Sequence, residues 1–106
     1  MHVIGKMFKH VVMWKLKNEA EGRTKAQNAK ILKEKLLALK PLINEIISMS
    51  CGEDVLKTGA SYDFALVTDF ESEDDFLVYR DHAEHKKVGE FVGAVTCARV
   101  CVDFEY

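Results

Sequence analysis

The 106 residues, 48% apolar and 30% charged, have the balance of one soluble globular domain and leave no room for a second. Fifteen basic against seventeen acidic residues give a formal charge of −2, so bulk charge offers no reason to expect a nucleic-acid or anionic-membrane partner. One proline and six glycines are too few for a disordered or fibrous chain, and no apolar run reaches the roughly 18–20 residues of a membrane span.

Residues Met7 to Leu16 alternate as a strand, with Phe8, His10, Val12, Trp14 and Leu16 on one face and Met7, Lys9, Val11, Met13 and Lys15 on the other. A polar turn over Asn18 to Gly22 follows. Thr24 and Gln27 have capping-box spacing and open a helix expected to run to about Lys40. Ala29, Leu32, Leu36 and Leu39 recur at steps of three and four and predict its buried stripe, and Pro41 stops it. Asn44 to Gly52 reads as a second strand with Ile47, Met49 and Cys51 on one face, and Tyr62 to Phe70 as a third with Tyr62, Phe64, Leu66 and Phe70 together.

Ser72 is placed to cap a short helix from Glu73 to about Tyr79, with Asp75 as its reciprocal partner. Asp81 to Val92 continues helically after a break, and Val95 to Phe104 closes the chain as a fourth strand. The order β-α-β-β-α-β predicts an α+β fold of the ferredoxin-like kind with a four-stranded antiparallel sheet. Helices cover one face of such a sheet, yet both faces are apolar. Val11 and Met13 oppose Val12 and Trp14, and Val100 and Val102 oppose Val95 and Cys101. A second copy packing sheet on sheet is the expected cover.

Lys6, Lys9, His10 and Lys15 interrupt the apolar N-terminal stretch, so no secretory leader is predicted and a cytoplasmic location is expected. Cys51, Cys97 and Cys101 are odd in number and form no C-x-x-C pair, which predicts buried free thiols rather than disulfides or a zinc site. Six basic residues and one acid between Arg23 and Lys40 read as a solvated helix face, because no aromatic reading motif accompanies them. Five acids between Asp69 and Asp75 suit a helix N-terminus.

Groups able to move protons concentrate at Tyr79, His82 and His85, the two histidines sharing a helix face. His10 lies mid-strand on the Val12 and Trp14 face, where a buried imidazole needs a partner or a cavity. Three histidines could count as zinc ligands, but their spacing matches no zinc motif, and no metal is expected.

Phe8-Lys9-His10-Val11-Val12 on the first strand, Ser72 opening the second helix and Tyr79-x-x-His82-x-x-His85 together resemble the stress-responsive dimeric α/β-barrel (Dabb) family. The likeness covers residues 7 to 104 and leaves 1 to 6 as an extension. It implies protomers whose sheets pair into a dimeric barrel, and a pocket for a small hydrophobic or aromatic ligand under the sheet. A plant member is a polyketide cyclase that uses no organic cofactor, and its catalytic residues match His85, Tyr79 and His10 here. The resemblance thus implies His85 as base, Tyr79 as donor to a carbonyl oxygen and His10 as orienting group. His82 and Trp14 are the expected substrate contacts, with no cofactor. Ala83 stands where the family usually has proline. The expected function is thus a ligand-binding domain of unassigned reaction; the alternatives are a cofactor-free cyclase using the Tyr79 and His85 pair and, by analogy of fold alone, an antibiotic-biosynthesis-type monooxygenase.

Overall fold

In the computed structural model, which describes residues 6–106, nine elements follow in chain order. They are β1 (Phe8–Leu16), β2 (Glu19–Ala20), β3 (Arg23–Thr24), α1 (Lys25–Leu37), β4 (Ser48–Glu53), β5 (Phe64–Phe70), α2 (Glu73–Asp81), α3 (Ala83–Val95) and β6 (Thr96–Glu105). Most of the expected extension, residues 1 to 5, lies outside the described residues. Strands β4-β5-β1-β6 form one antiparallel sheet, and the fold is ferredoxin-like, as the element order predicts. The alternation read in β1 is the observed one: Phe8, His10, Val12, Trp14 and Leu16 are all buried, under the helices. Among the described residues no helix is long and apolar enough to cross a membrane.

Helix α1 begins as its sequence dictates. Thr24 Oγ1 accepts the Gln27 N–H at 3.2 Å, and Gln27 Oε1 accepts the Thr24 N–H at 2.9 Å, a closed capping box contributing about 1 kcal/mol. The stripe Ala29, Leu32, Leu36 and Leu39 is buried. The helix ends at Leu37 rather than Lys40, because a proline at 41 disfavours helical backbone at the residue before it. Successive tight turns follow, the Leu42 and Ile43 N–H groups both donating to the Leu39 carbonyl and Ile46 to that of Ile43. They bury Ile43 and Ile46. That burial delays the second long strand to Ser48, and Ile47 stays outside it, 43% exposed.

Three further expectations are corrected. The polar turn at Asn18 to Gly22 is a small hairpin: Glu21 and Gly22, at φ 56° and 73°, form its two-residue loop between β2 and β3. Tyr62 precedes β5 instead of belonging to it. Ser72 accepts the Asp75 N–H at 3.1 Å, but no reciprocal bond from Asp75 closes a box.

The second helical region is broken as expected, but later in the chain: α2 runs to Asp81 and the break falls at His82 rather than between Tyr79 and Asp81. His82 has extended backbone (φ −66°, ψ 137°), and its Nδ1 accepts the Glu84 N–H at 3.0 Å to cap α3. A proline at 83 would force that backbone on residue 82; here the histidine cap holds it with Ala83 at the first helical position. Val95 ends α3, fully buried, and β6 starts one residue later than expected.

On the outer sheet face, the register aligns Val67, Val11 and Val102 in one row and Ala65, Met13 and Val100 in the next. Among the described residues no element covers this face, and Met13, Val100 and Val102 are 40%, 40% and 63% exposed. The cysteine expectation fails in part. Cys51 packs half-buried against the core, but Cys97 and Cys101 are exposed. Both lie on edge strand β6, which α3 leaves largely uncovered.

Candidate functional site

Between the inner face of the sheet and α3 lies a cavity of about 320 Å³. Strand β1 places His10, Val12 and Trp14 in its wall by simple alternation, α2 contributes Tyr79 from its last turn, and α3 contributes His85 from its first. The break at His82 is what lets these last two converge, their rings 4.3 Å apart. Gly89 and Gly93, one turn apart on α3, form the far wall, and a Cβ added at either meets nothing within 4 Å. His10, Trp14, Tyr79 and His85 are thus brought together. His82 is not in the wall, being engaged as the α3 cap.

Hydrogen bonds fix the imidazole tautomers. The Arg80 carbonyl can only accept, so the His85 Nδ1 at 3.0 Å carries the proton and leaves Nε2 as the basic atom. Burial holds the His85 pKa below its ordinary 6.5, and the charges of His10 and Arg99 push the same way against the Arg80 bond. His85 is therefore a neutral imidazole near pH 7. Because its pKa is depressed in the fold, the stability it contributes is full above 6.5 and falls as pH drops through the folded-state value. In an NMR titration the His85 ring should change state below pH 6.5, and unfolding it with urea should return the midpoint to the ordinary value.

The His10 imidazole donates from Nδ1 to Asp103 Oδ1 at 2.5 Å, across the β1–β6 pairing that sets the two residues opposite each other. Tyr79 is 1% exposed, and burial pushes its phenol far above the usual range, so it stays a proton donor. Its hydroxyl and the Trp14 indole N–H have no hydrogen-bond partner among the described residues. Leaving a buried donor unpaired costs about 1–3 kcal/mol, so each marks a place where a partner is missing.

Asp103 and Arg99 complete the site on β6, and the sequence reading omitted both. The signal for them is a pair of charges four apart, on one face of an otherwise apolar strand. A larger cavity of about 440 Å³ lies elsewhere, among Leu16, Lys25, Asp54 and Asp63. Its polar groups are satisfied locally: Asp63 accepts the Leu16 N–H and pairs with Lys25, and Asp54 accepts the Lys57 N–H. Among the described residues no cluster of side chains could hold a metal ion.

The antiparallel four-stranded sheet with its helices on one face places the chain in the class of ferredoxin-like α+β domains. The sequence profile of the stress responsive A/B barrel domain (Dabb) matches residues 8–106, and the chain belongs to that family. A dimeric protein of unknown function and ferredoxin-like fold from Bacteroides fragilis is 30% identical, over 94% of this chain and 96% of its own, with a TM-score of 0.84. A dimeric ferredoxin-like protein of unknown function from Thermobifida fusca is 24% identical, covering 100% and 96%, with a TM-score of 0.82. A hydroxynitrile lyase from Passiflora edulis is 16% identical over 95% and 94%, with a TM-score of 0.78, which speaks to fold alone. No curated protein sequence matches the chain.

Proposed function

We propose that this protein is a homodimer that binds a small hydrophobic or aromatic molecule in the cavity of His10, Trp14, Tyr79 and His85. The observation that carries the reading is the cavity itself: apolar walls with a few convergent polar groups are what a small-molecule site requires. At about 320 Å³ its volume lies near the lower end of such sites. The uncovered apolar outer face and the dimeric structures similar to this chain support the pairing. Free cysteines, two of them exposed, suit a reducing compartment, and we place the protein in the cytoplasm.

One observation favours turnover as a second reading. His85 offers an unprotonated Nε2 beside a phenol that remains protonated, a base and a donor within one cavity. Such a pair can take a proton from an acidic C–H or O–H group of the ligand while Tyr79 donates to its carbonyl oxygen.

Titrating the full chain with 2-naphthol tests the binding reading. The ring signals of His10 and His85 are expected to shift together, with the His82 ring unmoved. No shift at either cavity histidine, or a shift confined to His82, would overturn it.

A further inference from the structure

Among the residues of the cavity wall there is no aspartate and no glutamate. That is unusual in a chain with seventeen acids and net negative charge, and it contrasts with the larger cavity, whose wall mixes three carboxylates with two lysines. The charged and titratable groups that line the smaller cavity are Arg99, His10, His85 and Tyr79. Arg99 lies opposite Trp14 in the β1–β6 register, on the same side of the sheet as the cavity, and is exposed at its rim. A guanidinium is charged at every physiological pH and presents a planar fork suited to an oxyanion.

No carboxylate of the described residues pairs with Arg99. The acid four residues along its own strand face, Asp103, is engaged by His10. The polar contact of Arg99 is a weak one, Nη1 to Cys101 Sγ at 3.5 Å. The two wall groups lacking partners, the Trp14 N–H and the Tyr79 O–H, are also hydrogen-bond donors. Around these donors the wall is aliphatic, with Val12, Leu36, Leu66, Val88 and Val92.

We infer that the ligand is a small carboxylic acid with an apolar body about one ring in size, its carboxylate held by Arg99 and its body against α3. The inference rests on the reading of the cavity as a ligand site and adds the chemical class. A single guanidinium balances a single negative charge, which favours a monoanion. Binding such an anion supplies the counter-charge that the wall lacks.

Matched acid and amide pairs isolate the charge from the shape. Benzoate against benzamide, and phenylacetate against phenylacetamide, are titrated into the full chain at pH 7 while the His10 and His85 ring signals are followed. Each acid is expected to bind roughly tenfold more tightly than its amide, as for a charge-assisted hydrogen bond. In Arg99→Gln, checked as folded by its backbone amide spectrum, that ratio should collapse toward one, and Arg99→Lys should keep part of it. Amides binding as well as acids would overturn this inference and leave the ligand site standing, and so would an unchanged ratio in Arg99→Gln. Failure of all four compounds to move either ring would overturn both.

Discussion

Val102→Asp is expected to turn the protein from a dimer into a monomer. Val102 lies in the row Val67–Val11–Val102 of the outer sheet face and is the most exposed apolar side chain of that face, at 63%. In a twofold pair the same patch meets itself, so each substitution acts twice. Burying an uncompensated carboxylate costs several kcal/mol, and about 4 kcal/mol corresponds to roughly a thousandfold loss of affinity. Light scattering at micromolar concentration should give twice the 12.0 kDa chain mass for the parent and the single mass for the variant. A parent that runs as a monomer removes the dimer from the proposed function. A variant that stays dimeric moves the interface to another surface.

Phe70→Ala should cost about 3–5 kcal/mol of stability, a large share of the roughly 5–15 kcal/mol that holds a domain of this size. Phe70 is fully buried at the end of β5, where its ring meets Phe8 at 6.4 Å, Phe76 at 5.6 Å and Tyr79 at 5.1 Å. The substitution therefore opens a void directly behind the tyrosine of the cavity. Urea unfolding should show the loss as a lower midpoint, and the His85 ring signal should broaden or shift because its neighbour Tyr79 loses support. A change under 1 kcal/mol would mean that the surrounding aromatic rings close the gap.

What the sequence disclosed and what it hid divide by distance along the chain. The alternation of β1, the Thr24–Gln27 box and the break of the second helix depend on residues within a few positions of one another; the first two appear as read, and the break falls at His82, just past the expected join between Tyr79 and Asp81. Proximity of Tyr79 and His85 follows from that same local break. The hairpin of β2 and β3 stayed hidden because Glu21 takes a positive φ that glutamate seldom adopts, so Glu-Gly lacks the usual turn signature. Helix α1 was read too long because Leu39 continues its buried spacing through turns that are no longer α-helical. The partner of His10 lies 93 residues away, and only the pairing of β1 with β6 brings Asp103 opposite it. Arg99 enters the cavity wall by the same register. The two exposed cysteines were misjudged for a related reason: their apolar strand is an edge that α3 covers only in part.

Gly89 and Gly93 give the cavity an adjustable size. Each costs about 1 kcal/mol of helix stability relative to alanine, and neither is required by a close backbone approach, since an added Cβ would meet open space. Side chains of graded bulk at these two positions would shorten the accommodated ligand in steps while β1, Tyr79 and His85 stayed in place. Under the proposed function, one ligand is therefore exchanged for another through single substitutions that strengthen the helix as they narrow the space, leaving Tyr79 and His85 untouched.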